Sequence, residues 1–285
     1  MARMASIAWA NLALLCVGQV AIWPADPYFL DVLQWRKKHE AALAAEDGWL
    51  ALAGLHWLEP GRYRIGTSES CDIVLPQGSG PAEVGQLEFA SGRAIYYPAD
   101  GSPPLELLPD EPGPPTRIRA GRVTFWLIRR GDRYGLRVRD PEHPPRRSFQ
   151  GLCWYPVDPR YRVVGRLVKY DPPRKLRVPS IIGIVTEEES PGFVEFSLEG
   201  QQLRLTAIQS GQRLFFVFRD ATSGSETYGG GRFLYAEADA GGTVVLDFNK
   251  AYHPPCALNP YTTCPLPPEG NRLPVAVRAG EKSCP

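Results

Sequence analysis

The residues best suited to chemistry lie between positions 220 and 264, where glycine, proline and polar side chains are dense. Segments of this composition form irregular loops, which often hold binding sites. Arg232 can donate charge-assisted hydrogen bonds to an anion, and glycines let the backbone approach a ligand closely. The sequence therefore predicts a site for a small polar or anionic molecule, formed by Tyr228, Gly229, Gly230, Arg232, Asn249 and Tyr252.

Two loop segments must meet to form such a site. One spans 220–232 and the other 247–256, and each follows a predicted strand. Because side chains alternate along a strand, Asp247 and Asn249 lie on the same side. We expect the two segments to enclose one polar pocket. The alternative is that the polar residues only stabilise turns, and that the three consecutive glycines pack beneath an aromatic ring.

The same segments contain the residue types of a hydrolytic site. His253 is the histidine best placed to act as a general base, with Ser223 or Ser225 as nucleophile and Asp220 or Asp247 as the third group. The two aspartates could instead act as acid and base on a sugar or a small acid. The chain lacks the Gly-x-Ser-x-Gly turn of many serine hydrolases. A hydrolase is therefore the alternative to a binding protein.

Two cysteines near these loops allow further interpretations. Cys256 and Cys264 could form a disulfide or remain paired thiols. They could also bind zinc together with His253 and Asp247. The spacing His-x2-Cys-x7-Cys is not a standard zinc spacing, and no Cys-x2-Cys pair accompanies it. We therefore predict no cofactor, with zinc as the minor alternative.

The remaining cysteines lie far from these loops in the sequence. Cys71 and Cys153 are in apolar strand contexts that favour core packing. Cys284 lies in the C-terminal tail, and Cys16 would be removed with a cleaved leader.

Short β-branched and aromatic segments, separated by Gly, Pro, Asp and Ser, must position the loops. The N-terminal set favours an antiparallel sandwich, with predicted strands at 62–65, 72–75, 94–97, 105–108, 123–128 and 134–138. The C-terminal set favours a second antiparallel β region, with predicted strands at 161–164, 167–170, 181–185, 192–196, 202–206, 213–218, 233–235 and 244–248.

A leader and a helix precede the strands. Asp26 is suited to cap a helix, and Pro27 to begin it; the apolar periodicity then extends to about Glu46. Before the helix, a positively charged start and an apolar run over 4–23 resemble a secretory signal. We therefore predict an exported or envelope-associated bacterial protein, with this segment as a membrane tether. A cytoplasmic location is the alternative.

These patterns predict a mainly β protein in three parts. Residues 1–25 form the leader, 26–145 the helix plus the sandwich, and 146–285 a C-terminal β domain that contains the loops. One continuous β body is the alternative to two domains. A chain of 285 residues with 44% hydrophobic and 22% charged residues is typical of a globular protein.

The charge balance argues against one class of partner. Lys and Arg number 32 against 31 Asp and Glu, which leaves a net charge of +1. The densest basic stretches, at 129–130 and 146–147, are pairs separated by acidic residues and prolines. Because nucleic-acid binders usually concentrate a basic excess on one surface, we predict no nucleic-acid partner. The oligomeric state stays open.

Five segments of the C-terminal part resemble the signature of the family of proteins of unknown function DUF1684. They are Asp220–Arg232, Leu246–Cys256, Cys264–Pro268, Asn271–Pro274 and Ala279–Glu281. The segments are long and ungapped, and the resemblance covers roughly residue 30 to the end. The resemblance implies a family but no reaction.

The segment from Arg64 to Pro76 is similar to the opening of a forkhead-associated domain, a β-sandwich that binds phosphothreonine. Such domains place an arginine directly after the glycine, but Thr67 follows Gly66 here. They also have a Ser…His pair beyond the proline, and 80–85 contains no histidine. Without a guanidinium there is no bidentate phosphate contact. The resemblance implies a forkhead-associated-like sandwich without phosphopeptide binding. Separately, a non-catalytic structural module of the cell envelope is the third alternative for the function.

Overall fold

The first helix begins where its free amides can be capped. The computed structural model describes residues 26–284, so the predicted leader lies outside the described residues. Helix α1 (Pro27–Leu43) follows Asp26, whose carboxylate accepts the amide of Tyr28 at 2.9 Å. Its last residue comes three positions before the predicted end at Glu46. Within the described part of the chain, no helix has both the length and the hydropathy to cross a membrane.

Residues 52–139 form two sheets that pack face to face around one core. The first sheet has the order β1-β9-β8-β7, with β1 (Leu52–Leu58), β7 (Arg117–Ala120), β8 (Val123–Arg130) and β9 (Arg133–Arg139). The second has the order β3-β2-β4-β5-β6, with β2 (Gly61–Gly66), β3 (Ile73–Val74), β4 (Gly85–Ala90), β5 (Arg93–Pro98) and β6 (Leu105–Glu106). All neighbours are antiparallel except β2 and β3.

Strand β8 shows how the first sheet separates its two faces. Phe125 and Leu127 point into the sandwich core, whereas Trp126 and Ile128 belong to a second cluster on the outer face. That outer face is covered by a C-terminal segment, because Tyr261 packs against the second cluster. The sandwich thereby contacts the part of the chain that contains the predicted loops.

The C-terminal part contains three smaller sheets. Their orders are β13-β12-β11-β17, β14-β15-β16 and β10-β18. The strands are β10 (Cys153–Trp154), β11 (Arg162–Pro179), β12 (Val185–Leu198), β13 (Gln201–Thr206), β14 (Ile208–Ser210), β15 (Arg213–Phe218), β16 (Arg232–Ala236), β17 (Thr243–Asp247) and β18 (Glu281–Lys282). Strands β11 and β12 form a long hairpin that extends beyond their neighbours. Short helices complete the fold: α2 (Pro144–Arg147) and the 3₁₀ turns Trp49–Ala51, Pro159–Tyr161, Phe248–Lys250 and Pro255–Ala257.

Helix α1 packs on the C-terminal part. The guanidinium of Arg36 donates to the carbonyl of Tyr155 at 3.0 Å. The ring of His39 lies 4.4 Å from that of Tyr252, measured between centroids. Each sheet takes its strands from one side of residue 145, and the domain boundary there stays a prediction.

The predicted fold class is confirmed: the chain is mainly β, with an N-terminal helix and antiparallel sheets. Strand β15 has the predicted bounds, 213 to 218. The likeness of the sandwich to forkhead-associated domains stays a prediction.

Candidate functional site

The two predicted loop segments do meet, since the amide of Tyr228 donates to Nε2 of His253 at 3.2 Å, and the first segment is closed by a buried ion pair. Arg232 donates to the Asp220 carboxylate at 2.7 Å, and neither side chain is exposed. The guanidinium also donates to the carbonyls of Val277 and Ala279, at 2.8 Å and 2.5 Å. Both terminal nitrogens of Arg232 are therefore used inside the protein, and the geometry favours a structural role for this residue.

Asp220 links the loop to the C-terminal segment. One carboxylate oxygen accepts the amide and the hydroxyl of Thr222, at 2.8 Å and 2.6 Å. The same oxygen accepts the amide of Val277 at 3.3 Å. With its other oxygen on Arg232, the carboxylate has no free face for a substrate.

His253 is held by both ring nitrogens. Nε2 accepts the backbone amide of Tyr228 at 3.2 Å, so the ring proton lies on Nδ1. Nδ1 then donates to Glu281 at 3.1 Å. Ser223, the predicted nucleophile, accepts the amide of Asp220 at 3.1 Å. These contacts stabilise loops, and they leave no ring nitrogen of His253 free to accept a proton from a serine.

Asp247 and Asn249 lie together, as expected from their spacing, and they hold helix α1. The hydroxyl of Tyr28 donates to Asp247 at 2.8 Å and accepts from the Asn249 amide at 2.9 Å. Asn249 also exchanges two hydrogen bonds with the backbone of Asp158. Burial, and then the Asp247 carboxylate, raise the pKa of Tyr28, so its hydroxyl keeps its proton.

The three glycines allow close packing inside the fold. A Cβ on Gly230 would lie 2.2 Å from the ring of Tyr228, and one on Gly231 would lie 2.6 Å from the carbonyl oxygen of Phe218. Gly231 also has a φ of 96°, which L side chains rarely adopt. A Cβ on Gly229 would meet nothing within 3.4 Å. The backbone contacts at 230 and 231 are thus made with the protein itself.

The cysteine predictions need one correction. Cys153, interpreted above as a core thiol, forms a disulfide with Cys284. The reason is a long-range pairing, since β10 and β18 align Cys153 with Lys282, two residues before Cys284. A Cys256–Cys264 disulfide is not formed, and both residues are free thiols. Among residues 26–284, no three His, Cys, Asp or Glu side chains are grouped as a metal site.

The large cavity of the described residues lies beside this network. Its volume is about 890 Å³. It is enclosed by the end of α1, the outer face of the first sheet, the tip of the β11–β12 hairpin and segment 252–265. Of the predicted site residues, Tyr252 and Cys264 line it. None of four cavities found in residues 26–284 is lined by Arg232, Asn249 or His253.

Two buried nitrogens on the cavity wall have no hydrogen-bond partner. They are Nε2 of His39 and Nε of Arg139. Arg139 stacks on Trp126 at 4.9 Å and has no carboxylate oxygen within 4.0 Å among residues 26–284. Burial is the main cause that lowers the pKa of each group. Five other buried side-chain atoms of residues 26–284 are also unpaired, Nε of Arg232 among them, so these two are distinguished by their position beside the cavity.

Sequence reasoning missed Arg139, although the signal was present. In β9, Arg137 and Arg139 alternate with the core residues Leu136 and Val138. Alternating arginines in a strand are usually assigned to solvent. Here the outer face is covered, and Arg137 is only 3% exposed.

Comparison with known proteins assigns this mainly β protein to a family. The model of the family described as Protein of unknown function (DUF1684) matches residues 147–282. A solution NMR structure of an uncharacterized protein from Haloarcula marismortui is 34% identical. The match covers 50% of this chain and 80% of that one, with a TM-score of 0.42. No curated protein matches. The chain belongs to the DUF1684 family, as its signature segments predicted, and the family model covers the C-terminal part without α1 and the sandwich.

Proposed function

We propose that the protein binds a small molecule with an anionic head and an apolar body in the cavity at the end of α1. One observation supports this most strongly. The guanidinium of Arg139 lines the cavity, its Nε is buried without a partner, and no carboxylate pairs with it in residues 26–284. A half-buried cation of this kind is stabilised when a ligand supplies the missing anion.

The dimensions and the wall of the cavity suit such a ligand. Ligand pockets commonly measure about 300–1,000 Å³ and are mainly apolar with a few polar groups. Leu43, Val178, Ile184 and Phe233 supply apolar wall at different points around the cavity. Tyr252 lies opposite His39 and adds an aromatic surface.

The acidic residues that also line the cavity have other partners or lie at its rim. Glu111 contacts Arg130 at 3.2 Å, and Glu188 accepts the hydroxyl of Thr186 at 2.8 Å. Asp47 is exposed. Arg130 is itself bound to Asp110 at 2.9 Å, so Arg139 is the cation left for a ligand anion.

Titration calorimetry with three ligands of one chain length tests the proposal. Octanoate, octanol and octylamine share the apolar body and differ in the head group. We expect octanoate to bind most tightly. Arg139→Gln should weaken octanoate binding by about tenfold or more, the range for a charge-assisted hydrogen bond, and should leave octanol unchanged.

Arg133→Gln is the matched control. Arg133 lies on the same strand and stacks on Trp57 at 4.1 Å, but it does not line this cavity. It should bind octanoate like the wild type. Equal losses for octanoate and octanol in Arg139→Gln, or no binding of any of the three compounds, would count against an anion site.

Two predictions from the sequence are separate from this proposal. Export or attachment to a cell envelope concerns residues 1–25, which lie outside the described residues. A purely structural role in the envelope predicts no ligand at all, and the same calorimetry distinguishes it.

A further inference from the structure

Two free cysteines lie together at one end of the cavity. Cys264 is 7% exposed and lines the cavity, and Cys256 packs against the same small cluster. The cluster that they share also contains Val178, Val217 and Phe233. Another free cysteine of residues 26–284, Cys71, lies in the sandwich.

A buried cation adjoins this pair. Arg137 is 3% exposed, and its Nε has no partner. Its guanidinium approaches the Thr263 hydroxyl at 3.5 Å, and no carboxylate oxygen lies within 4.0 Å of it in the described chain. Burial, and then the charge of Arg130, lower the pKa of Arg137 to about 10. A guanidinium in this position favours an anion beside it, and Cys264 is a neighbour that can ionise.

The surroundings of Cys264 stabilise its thiolate. Cys256 is the largest cause that lowers the pKa of Cys264 to about 7, against the opposing effect of burial. The charge of Arg137 acts in the same direction. The pKa of Cys256 is raised by its contact with Cys264 and by burial. Cys264, which lines the cavity, is therefore the thiol of the pair whose ionisation its neighbours favour.

The backbone holds Cys264 in place. Its carbonyl accepts the amide of Ile181 at 3.0 Å, and the amide of Leu266 donates to Pro179 at 2.7 Å. Both contacts tie the segment to the end of the β11–β12 hairpin. The position of the sulfur at the cavity wall is thus set by rigid elements on both sides.

We propose that Cys264 and Cys256 form a redox-active dithiol that reduces a small organic disulfide entering the cavity. The Cys264 thiolate attacks one sulfur of the disulfide, forms a mixed disulfide and releases the first thiolate. Cys256 then loses its proton and attacks the Cys264 sulfur. This step closes the Cys256–Cys264 disulfide and releases the second thiolate. The protein loses two hydrogens and two thiols form, so the exchange is balanced. This inference is independent of the anionic ligand proposed above.

Peptide mapping of the full-length protein tests the inference. Trypsin releases the peptide from Ala251 to Arg272, which contains both cysteines and no other. After exposure of the protein to oxidised glutathione, we expect this peptide to lose the mass of two hydrogens. Cys256→Ser should instead retain one glutathione on Cys264. Cys264→Ser should show neither product, and Cys71→Ser should behave like the wild type.

The role of Arg137 has its own readout. The rate of alkylation of Cys264 by iodoacetamide should reach half its maximum near pH 7, well below the value of about 8.5 for an ordinary thiol. Arg137→Gln should move this midpoint upward, and Arg137→Lys should largely restore it. Circular dichroism checks that each variant folds. A tryptic peptide that keeps both thiols in oxidised glutathione, or a Cys256→Ser variant without a mixed disulfide, would overturn the inference.

Discussion

Two arginines in this protein, one buried and one half-buried, are in different situations. Arg232 donates to a carboxylate and to backbone carbonyls, whereas Arg139 stacks on an aromatic ring beside a cavity and lacks a carboxylate partner within 26–284. Both are arginines at strand ends, β16 and β9. Arg232 lies in a loop whose composition is typical of a binding site, yet the protein uses both of its terminal nitrogens and leaves only Nε unpaired. The difference teaches that a cation without a carboxylate partner beside a cavity indicates a site better than the type of residue does.

The largest effect on stability should come from breaking the buried ion pair between Arg232 and Asp220. Asp220→Ala leaves the charge of Arg232 buried without its partner, and we expect a loss of about 3–5 kcal/mol in the free energy of unfolding. Urea denaturation measures it. The surface pair Arg93–Glu106, with side chains 66% and 46% exposed, is the control, and Glu106→Ala should have a far smaller effect because solvent screens the pair. Similar losses in the two variants would remove the distinction drawn here.

The glycines of the same loop give the next largest effect. Gly231→Ala places a Cβ against the Phe218 carbonyl at a φ of 96°. We expect a loss of about 1–3 kcal/mol, because both the contact and the torsion are unfavourable. Gly229→Ala meets no close atom and should change stability by less than about 0.5 kcal/mol. Thermal unfolding of the two variants compares a glycine packed inside the fold with a glycine on an exposed part of the loop. A ligand-binding role for the glycine backbone would instead affect binding with little change in melting temperature.

His39, which lines the cavity, predicts a modest dependence of stability on pH. Burial lowers the pKa of His39 below its ordinary value of 6.5. As the pH falls through 6.5, the unfolded chain gains a proton that the native protein resists. The contribution of His39 to stability is therefore fully present above pH 6.5 and is lost on acidification below it. One such group contributes at most about 1.4 kcal/mol per pH unit. His39→Phe keeps a ring between Trp35 and Tyr252 and should flatten the decline between pH 7 and pH 5, measured by urea denaturation. An unchanged slope would show that His39 is protonated as readily in the native state as in the unfolded one.

Local chemistry in the sequence was enough for much of the fold. The Asp26 cap, the bounds of β15 and the proximity of Asp247 to Asn249 depend on neighbouring residues, and all three are observed. The partners of Arg232 could not be found in this way. They include carbonyls 45 and 47 positions further along the chain, and their alignment depends on tertiary packing.

The site itself was hidden from the sequence for a similar reason. The Cys153–Cys284 disulfide spans 131 positions, and the strand pairing that creates it involves two residues on each side. The cavity is formed by segments from α1, β9 and the β11–β12 hairpin. Alternation in β9 gives the faces of that strand, but it does not reveal that the outer face is covered.

The smallest expected effect tests the comparison most directly. Arg139→Met removes a guanidinium that lacks a carboxylate partner in the described chain and keeps an apolar side chain over Trp126. Because folding then no longer desolvates a charge, we expect the free energy of unfolding to change by less than about 0.5 kcal/mol or to rise. Arg232→Met leaves the Asp220 carboxylate buried without its partner, so the free energy of unfolding should fall by several-fold more. Urea denaturation of the two variants side by side measures the contrast. If Arg139→Met were as destabilising as Arg232→Met, Arg139 would have a structural partner, and the anion site would lose its main support.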